Sequence, residues 1–184
     1  RILVEDGHAV GIRLADGKEV RADLVVSNAD IHHTDTKLLP RHARQYNDKY
    51  WNSRVLAPSA LILYLGVRGR IPSLTHHNLL FSKDWKQNFT EIFDKPQCPT
   101  DPSIYVCAPS VTDPTVAPTD MENLFVLVPI ASGLKYAPED LERETQRIIK
   151  TLETSMHIPD LSSRIVYQKT FCVKDFAHVT KLIR

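Results

Sequence analysis

Apolar and polar residues alternate at the start of the chain, at Ile2 and Val4 and again at Val10, Ile12 and Leu14. Asp6-Gly7 and Asp16-Gly17 stand between and after those runs. A period of two broken by Asp-Gly predicts twisted antiparallel hairpins, because Asp and Gly supply the positive φ that tight turns need. The pattern then changes. Residues 22–30 hold the continuous run Leu24-Val25-Val26, which predicts a strand buried on both faces. The run ends in Ser27-Asn28-Ala29-Asp30, good chemistry for a turn leading into a helix cap.

Residues 31–39 read as a short helix capped by Asp30 and stopped by Pro40. Residues 42–50 read as a second, polar helix with Tyr46, Tyr50 and Trp51 on its apolar side. The uncharged run 58–67 is the clearest strand and suits the middle of a sheet, and Gly66, Gly69 and Pro72 break it into a loop. Leu79-Leu80-Phe81 predicts a short strand, followed by a helix to Phe93 capped by Ser82 or Asp84. Trp85, Phe89, Ile92 and Phe93 fall at helical spacing, which predicts one buried aromatic face. The prolines of 95–102 predict a rigid loop. Strands follow at 103–108 and 123–130, separated by the Asp113-Pro114 turn.

The strongest helix spans 137–155. Pro138 fits its first turn, Glu139 and Asp140 meet its positive dipole end, and Leu141, Ile148, Ile149, Leu152 and Met156 form its stripe. A strand at 164–170 and a helix at 173–182 complete the pattern. The elements define an α+β chain: an antiparallel or mixed sheet with helices on one face, preceded by a β-hairpin.

Composition narrows the function classes. The 184 residues are 42% hydrophobic and 24% charged with a net charge of +1, so nothing electrostatic points to nucleic acid. No apolar run approaches the ~18 residues of a membrane span. Three widely spaced cysteines, Cys98, Cys107 and Cys172, argue against a disulfide framework and for a reducing compartment. Asn88-Phe89-Thr90 is read as a chance sequon. The chain starts without Met inside a strand pattern and stops without a terminating signal, so a segment of a longer protein is expected. No G-x-G-x-x-G occurs among its 6 glycines, so these residues are not expected to hold a dinucleotide alone.

A resemblance adds to this reading. Gly11, Asp16, Gly17, Ala22, Asp23, Val25, Val26, Ser27, Asn28, Ala29 and Asp30 match the return hairpin of flavin-dependent amine-oxidase-like oxidoreductases. The likeness is strongest to the carotenoid desaturases, phytoene desaturase and its relatives. It continues through Pro58-Ser59, Leu63-Tyr64-Leu65-Gly66, His76-His77, Phe93-Asp94, Pro109 with Thr112-Asp113-Pro114, Ala117-Pro118 and Val126-Leu127-Val128-Pro129. The resemblance implies that residues 1–30 are the tail of an FAD-binding domain and 31–184 an incomplete substrate-binding domain. It also implies FAD in the full-length parent, a long apolar polyene as substrate, and hydride transfer from its C–C single bonds to the flavin. The parent is expected to be cytoplasmic and peripheral to a membrane surface, since such a substrate partitions into lipid.

Site residues follow from the resemblance. Ser27, Asn28, Ala29 and Asp30 are expected near the cofactor, and His76, His77, Tyr105, Pro109, Asp113 and Val128 near the substrate. Asp113 has two readings: a carboxylate whose pKa an apolar tunnel raises, or a cap on its own turn. No metal is expected, because neighbouring residues such as His76 and His77 point apart on a strand and no four-ligand set is spaced for an ion. No nucleophile elbow appears, and no residue reads as an indispensable acid or base. The rival readings are a retinol saturase-like, carotenoid isomerase-like or amine oxidase-like flavoprotein, or a non-catalytic binding module.

Overall fold

The computed structural model describes residues 1–179. They divide into two compact units: Arg1–Leu56 with the described residues from Phe176 onward, and Ala57–Asp175. The division falls after Leu56, whereas the resemblance implies a boundary after Asp30.

In the first unit, β1 (Ile2–Glu5), β2 (His8–Arg13) and β3 (Glu19–Arg21) form an antiparallel three-stranded sheet, as the Asp-Gly breaks predict. Gly11 sits at φ +146° where β2 meets β3, and a Cβ there would collide with the Val20 carbonyl. Only glycine fits. The run after β3 departs from expectation. It is not a buried strand: Leu24 and Val26 are 77% and 82% exposed. The ladder closes with the Ala22 N–H on the Val10 carbonyl at 3.1 Å, and no described strand pairs with residues 24–26.

Asp30 caps α1 (Ile31–His33) as predicted, its carboxylate accepting from the His33 N–H at 2.8 Å. The helix widens into a π turn, Thr34–Leu38, and stops before Pro40. The continuous helix expected at 42–50 is instead a 3₁₀ turn, Arg41–Ala43, and a later α2 (Asp48–Asn52) capped by Asn47. The buried Asp35 explains the interruption. Its carboxylate accepts from the Gln45 N–H at 2.9 Å and from the Trp51 indole at 3.1 Å, which ties down the chain between the two turns. Tyr46, Tyr50 and Trp51 then pack on one another, as their pattern predicts.

The second unit contains β4 (Ser59–Arg68), β5 (His77–Leu80), α3 (Trp85–Phe89), β6 (Ile104–Cys107), β7 (Met121–Ile130), α4 (Pro138–Ser155), α5 (Leu161–Arg164) and β8 (Ile165–Phe171). A last helix, α6 (Val173–Val179), begins where the sequence predicts, and the end of that predicted helix lies outside the described residues. The strands form one sheet in the order β5-β6-β7-β4-β8, every pairing antiparallel. β4, the uncharged run, lies between β7 and β8 as its composition requires.

The period of two sorts these strands into two faces. Leu61, Leu63, Leu65 and Val67 of β4 and Leu124, Val126, Val128 and Ile130 of β7 join one core with Ile148, Ile149 and Leu152 of α4. These three α4 residues belong to the stripe read from sequence. Each fully buried aliphatic side chain contributes about 1.5–3 kcal/mol, so this layer dominates the stability of the unit. Glu122 is buried at the start of β7. Its carboxylate accepts from the Ile71 N–H at 3.2 Å and the Ser110 hydroxyl at 2.5 Å and pairs with Arg70 at 3.0 Å.

α3, capped by Asp84 and extended by the π turn Thr90–Asp94, corrects another expectation. Ile92 is buried, but Trp85, Phe89 and Phe93 face outward. The buried positions are taken by Asn88 and Glu91, each held by hydrogen bonds. Asn88, the asparagine of the sequon, donates its amide to the Asp101 carbonyl at 3.2 Å. No helix among the described residues is long and apolar enough to cross a membrane.

Candidate functional site

The sheet face away from the α4 core carries two rows of side chains set by strand register. Residues directly opposite on antiparallel strands project to the same side. The first row runs Leu79, Tyr105, Leu127, Ile62, Phe171, and the second runs His77, Cys107, Phe125, Tyr64, Lys169. Five strands about 4.8 Å apart make each row about 19 Å long. The middle of both rows is apolar or aromatic: the Tyr64 and Phe125 rings lie 5.5 Å apart and those of Tyr105 and Phe125 6.3 Å apart. A cavity of about 320 Å³ adjoins the second row, lined by Tyr64, Gly66, Val116, Pro118, Asn123 and Tyr167 among others.

One end of the rows is polar. The His77 Nδ1 lies 2.8 Å from the Tyr105 hydroxyl, and the His76 Nδ1 lies 2.6 Å from the Thr112 hydroxyl. The two imidazoles are 4.3 Å apart. Ligand atoms of His76, His77 and Cys107 lie within 4.8 Å of one another. That is three donors where a structural zinc site uses four. The Nδ1 contacts hold both rings, and the site as it stands is a hydrogen-bonded polar margin to an apolar surface.

The structure brings His76, His77 and Tyr105 together. Pro109 opens the 3₁₀ turn Pro109–Val111, and the Thr112 N–H closes on its carbonyl at 3.1 Å, which aims Thr112 at His76. Asp113 is exposed and caps its own turn, accepting from the Thr115 N–H at 2.9 Å and hydroxyl at 2.6 Å. The Thr115 hydroxyl and then its N–H hold this carboxyl below the usual aspartate range. The tunnel reading, with a raised pKa, is therefore corrected. Val128 is corrected as well. It is fully buried on the α4 side of β7, one residue out of phase with Leu127.

Ser27, Asn28, Ala29 and Asp30 lie in the first unit. The Ser27 hydroxyl lies 2.7 Å from that of Thr34, and Asp30 is occupied with its cap. Cys107 and Phe125 were missed by the sequence reading, because only the pairing of β5, β6 and β7 makes them neighbours of His77 and Tyr64.

No protein-family model matches the chain. Its fold is similar to part of an oxidoreductase from Methanosarcina mazei, whose crystal structure aligns with a TM-score of 0.51 and 20% identity over 94% of this chain and 36% of that one. The sequence places it further. The chain is 44% identical to the carotenoid 3,4-desaturase of Haloarcula japonica over 90% of its own length and 33% of that enzyme. It is 36% identical to the neurosporene-forming phytoene desaturase of Cereibacter sphaeroides over 95% of this chain and 35% of the relative. It is 42% identical to the zeta-carotene-forming phytoene desaturase of Myxococcus xanthus over 71% and 25%. Over most of its length the chain is a homologue of the carotenoid desaturases, and it spans about a third of the length of these relatives.

Proposed function

We propose that this chain is the substrate-binding segment of a carotenoid desaturase-type oxidoreductase, and that the two-row sheet face is one wall of the passage for a long apolar polyene. The observation that carries the reading is the apolar and aromatic centre of those rows on the side away from the α4 core, exposed at Tyr64 and half-buried at Phe125 and Leu127, in a chain whose relatives are named for desaturating carotenoids. A polyene offers no polar handle, so its affinity rests on buried area at about 25 cal/mol per Å². His76, His77, Tyr105 and Thr112 mark the polar margin against which such a chain stops or turns. Residues 1–30 are proposed as the end of a cofactor domain and residues 31–184 as an incomplete substrate domain.

FAD is proposed for the full-length protein, held outside the residues described. The residues present do not fit it alone: the turn at Ser27–Asp30 uses its Asp30 oxygen on a helix cap, and no glycine-rich strand–turn–helix accompanies it. Association with a membrane surface on the cytoplasmic side is part of the same proposal.

The test is turnover by the full-length protein. Incubation with a colourless carotene is expected to give longer-wavelength absorption as conjugation extends, with no oxidation of amines. Leu127→Glu, a charge in the centre of the face, is expected to abolish polyene turnover while the protein remains folded by circular dichroism. Oxidation of amines in place of polyenes, or full turnover by the Leu127→Glu variant, would refute the reading.

A further inference from the structure

The polar end of the two rows gathers three metal-binding side chains. Adjacent residues on one strand point apart, which is why no shared ion is expected from the sequence. His76, however, stands at a bend just before β5, and the two imidazoles lie 4.3 Å apart. Cys107 is the register partner of His77 across the β5–β6 pair, so its sulfur projects to the same side. One ring nitrogen of each histidine and the Cys107 sulfur lie within 4.8 Å of one another. The bend itself is fixed. The Thr75 N–H donates to the Asn78 side-chain oxygen at 3.0 Å, and the Asn78 amide donates to the Thr75 and Val106 carbonyls at 2.7 and 3.1 Å.

The hydroxyls around the rings decide which nitrogen is free. The Thr112 hydroxyl donates its one proton to the Pro109 carbonyl at 3.3 Å, so it accepts from the His76 Nδ1–H at 2.6 Å. The Tyr105 hydroxyl lies 2.8 Å from His77 Nδ1 and also hydrogen-bonds the Cys107 side chain. A thiolate at Cys107 only accepts, so the hydroxyl donates to it and accepts from the His77 Nδ1–H. Both lone pairs then lie on Nε2, and each ring is oriented through its other nitrogen, as metal-binding histidines are. Two imidazoles and a thiolate suit a borderline-soft cation such as Zn²⁺ rather than Mg²⁺ or Ca²⁺, which take oxygen ligands.

We propose that His76 Nε2, His77 Nε2 and Cys107 Sγ form a three-ligand site for Zn²⁺, its fourth position open to water beside the exposed His77. Zinc bonds nitrogen at about 2.0–2.1 Å and sulfur at about 2.3 Å in a tetrahedron, which sets ligand atoms about 3.5 Å apart. The three donors reach that spacing by side-chain rotations of about 1 Å. Binding releases the Cys107 thiol proton to solvent, and both imidazoles bind as neutral rings. Three protein ligands with an open position are the arrangement of a zinc that also holds water, where a closed structural site has four. The ion joins β5 and β6 and, through Thr112, the turn at Pro109–Val111. The inference stands on these side chains and not on the polyene reading.

The test uses the full-length protein, stripped with a chelator and dialysed against Zn²⁺ or Co²⁺. Wild type is expected to retain one more equivalent of Zn²⁺ per chain than Cys107→Ser or the double variant His76→Ala with His77→Ala. Its thermal midpoint is expected to rise with Zn²⁺ and not with Mg²⁺. Co²⁺ is expected to give a thiolate-to-cobalt charge-transfer band in the difference spectrum, absent from Cys107→Ser and kept in Cys98→Ser. Thr112→Val and Tyr105→Phe keep all three ligands and are expected to keep the band while weakening Zn²⁺ binding about 10–100-fold. Labelling of wild-type Cys107 by iodoacetamide, read by peptide mass, needs no substitution and is expected to slow with Zn²⁺. Equal Zn²⁺ retention by wild type and Cys107→Ser, or a Cys107 labelling rate that Zn²⁺ leaves unchanged, would overturn the proposal and leave the cluster a hydrogen-bonded margin.

Discussion

Glu122 offers the sharpest test of how the site is supported. Its side chain is 1% exposed, while that of its partner Arg70 is 44% exposed. The carboxylate joins three pieces of chain: the loop after β4 through the Ile71 N–H, the turn at 109–111 through the Ser110 hydroxyl, and the start of β7 itself. Ser110 passes the contact on by accepting from the Asn123 N–H at 3.0 Å. Two residues beyond it, Thr112 meets His76. Glu122→Ala leaves the Ile71 N–H and the Ser110 hydroxyl buried without their acceptor, at about 1–3 kcal/mol each. The Arg70 pair adds little more, because that guanidinium is nearly half in water and its attraction is screened. The sum is about 2–6 kcal/mol. Arg70→Ala keeps both buried donors satisfied and is expected to cost about 1–2 kcal/mol.

Hydrogen exchange read by mass spectrometry on the full-length protein separates these effects from unfolding elsewhere. The amide of Ile71 is expected to lose its protection in Glu122→Ala and to keep most of it in Arg70→Ala. The thermal midpoint of so long a chain is expected to fall by only about 1–2 °C per kcal/mol, so by several degrees in the first and by a degree or two in the second. The His76 ring signal is expected to shift in Glu122→Ala as Thr112 is released. Equal losses in the two variants would show that the ion pair, and not the buried hydrogen bonds, holds these segments, and the reasoning would fail.

Three further outcomes can be checked. Burial opposes ionisation of Glu91, but its hydrogen bonds from Gln87, Thr100 and Gln97 outweigh it and hold the carboxyl below the ordinary 4.5. Its contribution to stability is therefore complete above that value and lost as pH falls through the lower folded one, so Glu91→Gln should flatten the acid limb of a pH-stability curve below about 4.5. Gly11→Ala should disorder the β2–β3 pairing, seen as lost amide protection at residues 19–22, because both its φ and its contact with Val20 exclude a side chain. Val128→Asp should unfold the second unit, by about 4 kcal/mol or more for an unpaired buried charge. The same change at Leu127 should leave it folded and impair ligand binding, and the reverse order would place the core on the wrong face.

Much of the fold was legible because it follows from local pattern. The Asp-Gly breaks, the uncharged run of β4, the Asp30 and Asp84 caps and the α4 stripe each depend on a few neighbouring residues. The failures have a common physical cause. A continuous apolar run or an aromatic helical face is read as buried, since burial is the usual way to remove it from water. Leu24, Val26, Trp85 and Phe89 remain exposed among the residues described. Likewise Asp35, Glu91 and Glu122 look like surface acids in sequence and become buried acceptors only once distant N–H groups converge on them. Of the residues expected near the substrate, His76, His77 and Tyr105 meet at one end of the rows and Val128 lies in the core, because alternation along one strand does not say which of its sides packs on α4.

That one residue of phase carries the functional argument. In β4 and β7 the odd positions of one strand and the even positions of the other build the core, and the positions between them build the two rows. Slipping β7 by one residue would move Val126 and Val128 to the outer face and bring Phe125 and Leu127 into contact with α4. The outer residues are as apolar as many core residues, so solubility alone does not account for Ile62, Phe125 and Leu127 being there. A face meant for water would carry Thr, Lys or Glu at these alternate positions, as antiparallel sheets with one wet side do. Here the polar groups are confined to its margins, at His77 and Lys169. A row about 19 Å long whose apolar centre lies between polar ends fits a long unbranched hydrocarbon lying across the strands better than a compact polar substrate.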